Sequence, residues 1–298
     1  MRIAITGASG LIGSALSRAI EARGDTVVPV VRGDRPDPEQ GAIWWSPTTN
    51  EIDAHALNGI DAVVHLAGES IGSSKWTVEQ KDRIRSSRVA GTALMAETLA
   101  ELPEPPSVFV SGSAVGVYGD RSDEELTETS TTGSGFLAEV VGDWEAAAQP
   151  ALDAGIRTTF CRMGVVLSAD GGALREQLLA FKLGLGGKIG SGDQYLPWVS
   201  IDDVVRALLY LVDGDMAGPV NVTAPSPVTN SFFTKALGKA LHRPTVLPIP
   251  TFALHLRLGK ELTDALLMSS ARVLPARLLE DGFTFEHPTL PEALDAVL

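Results

Sequence analysis

The sequence predicts an α/β protein: a doubly wound parallel sheet with helices on both faces, followed by a smaller, mostly helical C-terminal lobe. Three observations carry this. The chain opens on an apolar run, Met1-Arg2-Ile3-Ala4-Ile5, that passes through a glycine turn into a helical stripe. Short apolar runs then alternate with helical patterns as far as residue 167, the rhythm of parallel strands joined by crossover helices. Past Thr223 the composition shifts, and Pro225, Pro227, Pro244, Pro248 and Pro250 punctuate short helical pieces. A first unit is therefore expected at residues 1–225, with additions to the second lobe beginning near 165, and a second unit at 226–298.

The first element is the most informative. Thr6-Gly7-Ala8-Ser9-Gly10-Leu11-Ile12-Gly13 joins strand to helix, and Leu11, Ile12, Ala15, Leu16, Ala19 and Ile20 recur at steps of three and four. Gly7 permits the tight turn, Gly10 a close approach of backbone N–H groups to a ligand, and Gly13 close packing of helix on strand. The helix N-terminus adds free donors and a partial positive charge, so the turn suits the pyrophosphate of a dinucleotide. Gly7, Ser9, Gly10, Leu11, Ile12 and Gly13 are its expected cofactor-binding residues.

The second strand, Thr26–Val31, ends in Arg32-Gly33-Asp34-Arg35. A carboxylate here would take the ribose 2′-hydroxyl of NAD(H), whereas an arginine accommodates the 2′-phosphate of NADP(H). Arg32 is the first polar residue off the strand, which favours NADP(H); Asp34 leaves NAD(H) open. Residues 33–56 read as an irregular connection carrying Trp44 and Trp45. The third strand, 61–66, ends in Leu66-Ala67-Gly68, small enough to lie against the adenosine half of a dinucleotide, and His65 reads as a packed strand-end residue. A long helix is expected from Val78 to Leu102. The fourth strand, 107–111, runs into Gly112-Ser113-Ala114-Val115-Gly116-Val117-Tyr118, and Ser111 joins the expected cofactor residues. Residues 120–135 read as a mobile loop or lid, 136–154 as a helix and 157–161 as the fifth strand. The loop 184–192 is glycine-rich and carries Lys188, read equally as an anion contact or a solvated lysine. Asp202 and Asp203, at the start of a helix over 201–212, read as caps, not as a metal pair.

The whole-chain numbers limit the function classes. Of 298 residues 44% are hydrophobic and 20% charged, ordinary for a globular protein. No apolar run reaches the length of a membrane span, and the early first strand leaves no room for a signal peptide, so a cytoplasmic protein is expected. The single cysteine, Cys161, has no internal partner, and no Cys/His cluster suggests a metal. Net charge is −13, which disfavours nucleic acid as a partner and leaves a small-molecule substrate. Oligomeric state is not readable.

Taken together, TGASGLIG, DAVVHLAG at 61–68, RVAGT at 88–92, SGSAVGVYG at 111–119, RMGVVL at 162–167 and WVSIDDVV at 198–205 resemble an extended short-chain dehydrogenase/reductase of the NAD-dependent epimerase/dehydratase family. HLAGESI at 65–71, FLAEVVGDWE at 136–145, GLGGKIGSGDQ at 184–194, PVTN at 227–230 and GFTF at 282–285 narrow this to an atypical, epimerase-like subgroup with a distinctive C-terminal domain. The resemblance covers nearly the whole chain. It implies a Rossmann-like domain, bound NADP(H) or NAD(H), and a C-terminal substrate lobe.

The departures bear on mechanism. The family's proton relay uses a serine or threonine with a Tyr-x-x-x-Lys pair on the following helix. Ser113 matches the serine, but the pair reads Phe136 and Val140, and the family's asparagine position reads Arg88. Two functions are compatible with this. One is an oxidoreductase or epimerase acting on a small carbonyl or nucleotide-sugar-like compound, with Ser113, Tyr118 and Arg88 as catalytic residues and Glu69 and Lys75 behind them. With Tyr118 as neutral proton donor, reduction is the favoured direction. The other is a non-catalytic NADP(H)-binding sensor or assembly factor. The competing structural readings have Tyr118 packing its ring under the loop and Arg88 pairing with a carboxylate.

Overall fold

The computed structural model describes residues 1–35 and 41–298. In chain order the first elements are β1 (Arg2–Thr6), α1 (Leu11–Ala22), β2 (Thr26–Val31), β3 (Ile43–Ser46), β4 (Glu51–Ile52), α2 (Ala54–Leu57), β5 (Ala62–His65) and α3 (Val78–Glu101). Then come β6 (Val108–Ala114), β7 (Glu125–Leu126), α4 (Phe136–Ala146), α5 (Gln149–Asp153), β8 (Arg157–Met163), β9 (Val165–Leu167) and α6 (Gly172–Lys182). The rest are β10 (Tyr195–Leu196), β11 (Trp198–Ser200), α7 (Ile201–Asp213), β12 (Gly218–Val222), β13 (Val228–Thr229), α8 (Asn230–Ala240), α9 (Thr251–Leu258), α10 (Lys260–Thr263), β14 (Arg272–Val273), α11 (Ala276–Glu280) and α12 (Leu290–Val297).

Among the described residues the main sheet has the order β12-β8-β6-β5-β1-β2-β3-β4. Every pairing in it is parallel except β3 with β4. The chain leaves β1 toward β2 and β3, then crosses back to β5 on the other side. The switch therefore falls between β1 and β5, where ligands of open α/β sheets bind outside the strands' carboxyl ends. One face of the sheet packs on α1 and α7 through Ile3, Ile5, Leu16, Ile20, Val204 and Leu208. The other packs on α3 through Ala4, Val63, Phe109, Met95 and Leu99.

Four expectations change in detail. Residues 33–56 are not wholly irregular: β3 joins the sheet edge, buries Ile43 and Trp45, and folds back through β4. A strand of four residues is too short to register as a periodic signal. The helix expected over 136–154 is two, because Pro150 opens α5. Residues 120–135 are fastened rather than a free lid. β7 pairs with β14, and the buried Glu128 carboxylate accepts from the backbone N–H groups of Asn221 and Arg277 (3.0 and 3.3 Å). Ser200 rather than Asp203 caps α7, its hydroxyl accepting the Asp203 amide at 3.0 Å, while the Asp203 carboxylate anchors the C-terminal tail, accepting the Glu286 and His287 amides at 2.7 and 3.0 Å.

The C-terminal part is mostly helical, but its core is shared. Phe233, Leu237, Leu290 and Leu294 close over Leu174, Leu178, Phe181 and Trp198. Phe283 and Phe285 reach back into the α1/α7 side of the sheet. This sharing fixes the lobe against the carboxyl end of the sheet and forms the roof of the cleft described next. No helix among the described residues is long and apolar enough to cross a membrane.

Candidate functional site

The site begins at Thr6, the last residue of β1. Its hydroxyl oxygen accepts the amides of Leu66 and Ala67, both at 3.0 Å, tying the β1 turn to the end of β5. With both acceptor positions used, the Thr6 hydroxyl donates to His65 Nδ1 at 2.9 Å, which leaves the imidazole proton on Nε2. His65 is fully buried beside the Trp45 and Phe109 rings, and burial pushes its pKa down to about 4. It is a neutral packing residue at pH 7. Gly7 has φ +70°, and a Cβ there would stand 3.1 Å from the Leu66 and Ala67 backbone. At Gly13 a Cβ would meet the Gly7 carbonyl oxygen inside contact distance and Ala8 Cα at 2.8 Å, so the helix approaches the turn this closely only as glycine.

Gly10 caps α1 without a side-chain bond, and the first turn holds no acid. The amides of Leu11, Ile12 and Gly13 find no acceptor among the described residues, and Leu11 and Ile12 line the cleft. A twelve-residue helix thus points its free donors at the switch point, which fits an anionic phosphate bridge. Ser9 is exposed beside them. Arg32 and Asp34 are exposed at the end of β2, while Arg35 lies over the Trp44 ring, 4.3 Å from its centroid. Trp44 Nε1 donates to the Gly33 carbonyl at 2.8 Å, fixing this corner. Leu66, Ala67 and Gly68 line the cleft as well. Ser111 does not: it is buried within β6 and donates to the Gly112 carbonyl.

At the other end of the cleft β6 delivers Ser113. Ser113 is among the residues that line the cleft, is 2% exposed, and donates from its hydroxyl to Glu145 Oε1 at 2.6 Å. Glu145 sits in the last turn of α4, clamped from behind by Arg162 of β8: Nε to Oε1 and Nη2 to Oε2, both 2.8 Å. Arg162 Nη1 donates in turn to the Tyr118 hydroxyl at 3.1 Å, and that hydroxyl donates to Asn221 Oδ1 at 2.7 Å. The guanidinium, held by Glu145, stays charged well above the ordinary arginine range against the opposing effect of burial. Burial pushes the Tyr118 phenol up. Tyr118 is fully buried and lies outside the cleft lining, so the structure separates it from Ser113 on the cleft side. Sequence reasoning missed Glu145 and Arg162, which lie 32 and 49 residues beyond Ser113 with no spacing rule to link them.

Arg88 of α3 does line the cleft. Its Nη1 donates to the carbonyls of Glu69 and Ile84 (3.0 and 3.1 Å), and its guanidinium lies over the Trp144 ring at 5.2 Å. No carboxylate among the described residues is within ion-pair distance of it; burial pushes its pKa down to about 10 against the opposing charge of Glu69, still charged at neutral pH. Phe136 and Val140 occupy the helix face where the resemblance implies tyrosine and lysine, and both line the cleft. Glu69 and Lys75 do not belong to the lining. Glu69 accepts weakly from Gln80 at 3.4 Å, and Lys75 donates to the Leu256 carbonyl at 3.0 Å, bracing α9. Lys188 donates to its own loop at Ser191.

The cleft has a volume of about 1040 Å³ and is closed above by Lys260, Glu261, Asp264 and Leu266 from the C-terminal part. Lys260 pairs with Asp264, and Lys81 with Glu261 at 2.6 Å.

Residues 3–223 match the NAD dependent epimerase/dehydratase family, and residues 249–297 match a domain of unknown function, DUF1731. The chain is similar to the epimerase family protein Mb2239 of Mycobacterium bovis, 42% identical over 293 residues, covering 98% of this chain and 96% of that protein. It is 35% identical over 302 residues to the human epimerase family protein SDR39U1, covering both chains completely. The crystal structure of that human protein (isoform 2) with NADPH superposes with a TM-score of 0.91 at 34% identity, over 100% of this chain and 99% of that one.

Proposed function

The chain belongs to the NAD dependent epimerase/dehydratase family, and from that premise we propose that it is an NADP(H)-binding oxidoreductase of a small alcohol or carbonyl compound. In this reading Ser113 and Glu145 stand in for the family's tyrosine and lysine. The observation that carries the proposal is the 2.6 Å bond from Ser113, a residue of the cleft lining, to Glu145 at the carboxyl end of β6.

The free amides of Leu11, Ile12 and Gly13 hold the pyrophosphate, and Arg32 takes the adenosine 2′-phosphate. The NADPH in the crystal structure of the human relative supports this choice of cofactor. When bound, NADP(H) supplies or accepts a hydride. The chain's own residues handle the proton. A substrate hydroxyl placed on Ser113 Oγ passes its proton to that oxygen, as Ser113 passes its own to Glu145 Oε1. Arg162, bonded to both Glu145 oxygens, holds the carboxylate in place beneath Ser113. In reduction the same path runs backward from a protonated Glu145. Tyr118 has a positioning role here, orienting Arg162 from behind. Residues 1–225 are assigned to the cofactor half and 226–298 to the substrate half of the molecule.

The test is a cofactor titration followed by absorbance at the NADPH band with alcohols, aldehydes and ketones. Turnover that is abolished by Ser113→Ala while NADPH affinity is retained supports the assignment. Turnover that survives Ser113→Ala refutes it. Tight NADPH binding with no turnover across the panel favours the sensor reading instead.

A further inference from the structure

The cleft is lined mainly by apolar side chains with few charges. Beyond the glycine turn its walls are Trp76, Phe136, Val140, Trp144 and Leu266, with Trp76 and Phe136 edge to face at 5.1 Å between centroids. Against these apolar walls stands one guanidinium, Arg88. Its Nη1 is used by two backbone carbonyls, its face rests on Trp144, and the Glu69 carboxylate acts on it only from beyond ion-pair distance. A cation in a largely apolar cleft is poorly solvated and gains from an anionic partner. Of the acids in the lining, Asp120 has no cationic partner among the described residues, whereas Glu261 is paired with Lys81 and Asp264 with Lys260, the other cation of the lining. A nucleoside diphosphate sugar needs two adjacent phosphates neutralised, and the lining offers one cation that is not held in an ion pair. A molecule with one carboxylate and a hydrocarbon body meets one guanidinium and an aromatic wall.

We propose that the substrate cleft recognises a small aromatic or aliphatic monocarboxylate, its carboxylate on the Arg88 guanidinium and its body against the wall that Trp76 and Phe136 form together. This rests on the preceding reading in one respect: the dinucleotide occupies the end of the cleft at the glycine turn and leaves this end to substrate. Arg88 is thereby a binding residue that sets specificity, and its charge is not required for the proton path through Ser113.

The test is calorimetric titration of the full chain, with and without saturating NADPH, using benzoate, cinnamate and hydrocinnamate, their primary amides, and UDP-glucose. At least one carboxylate is expected to bind about tenfold or more tightly than its amide, because a charge-assisted contact is lost in the amide. UDP-glucose is expected to bind more weakly than that carboxylate. Arg88→Met should lower the carboxylate's affinity to that of the amide, and Trp76→Ala should weaken acid and amide alike. Equal affinity of wild type for acid and amide overturns the proposal without reliance on any variant. So does tighter binding of UDP-glucose, or no binding of the carboxylates at all. Because binding is read without turnover, a failure of the oxidoreductase reading appears in the absorbance panel and leaves this result separate.

Discussion

Replacing Glu145 by glutamine removes one negative charge from a site where its positive partner has nowhere to go. The Arg162 and Glu145 side chains are 8% and 15% exposed, so water screens the pair poorly. Glutamine keeps an oxygen for Arg162 Nε and Ser113, but its amide nitrogen faces Arg162 Nη2, donor against donor, in place of the 2.8 Å bond. Removing one partner of a buried ion pair costs about 3–5 kcal/mol, and one lost charge-assisted hydrogen bond alone about 1.5–3. Two of three bonds survive, so the lower part of the range applies: about 3 kcal/mol. Urea denaturation followed by circular dichroism should show this as a lower midpoint at unchanged slope. The double variant Glu145→Leu with Arg162→Met should be more stable than Glu145→Gln, since it leaves no orphaned charge. Ser113→Ala, which spares the pair, should lose about 1 kcal/mol. A loss under about 1 kcal/mol for Glu145→Gln would place the pair with solvated surface bridges. Arg162 would then be no anchor for Glu145 beneath Ser113.

Gly13→Ala should abolish NADPH binding and destabilise the fold by several kcal/mol, roughly 2–4, because its Cβ meets turn backbone at 2.8 Å and closer; an unchanged melting temperature would contradict this. Arg32→Ala should weaken NADPH by about ten- to a hundredfold and leave NADH nearly unaffected, and wild type that binds both cofactors equally would remove Arg32 from the site. His65 gives a pH signature. The folded state keeps it neutral down to about pH 4, whereas the unfolded chain takes a proton near 6.5. The unfolded state therefore binds more protons in that window, and the stability present above pH 6.5 falls by up to about 3 kcal/mol as pH drops toward 4. His65→Gln should flatten that part of the urea-midpoint profile relative to wild type, and parallel profiles would show that His65 is solvated.

Some of this protein is written locally, and those parts are legible in its sequence. The run from Arg2 through the three glycines into Leu11–Ile20 states strand, turn and helix by period alone, and the cofactor end of the cleft follows from it. Arg88 and Ser113 were equally readable as polar residues at places the fold brings to the site. Short or buried features were not. β3 is four residues long, and its Trp45 is recognised as core only once the His65 ring lies against it. Tyr118 and Ser113 lie five residues apart on one passage from strand to loop, and no sequence rule says that one faces the cleft and the other the interior. The turn of helix over Val115–Tyr118 decides it. The Ser113–Glu145–Arg162 chain depends on the pairing of β6 with β8, which sets Ser113 directly beside Arg162, and on α4 crossing above both. Strand register and helix docking are set by the burial of whole faces, summed over the core. So the sequence specified which residues were available for chemistry, and only the packed sheet determined which of them meet.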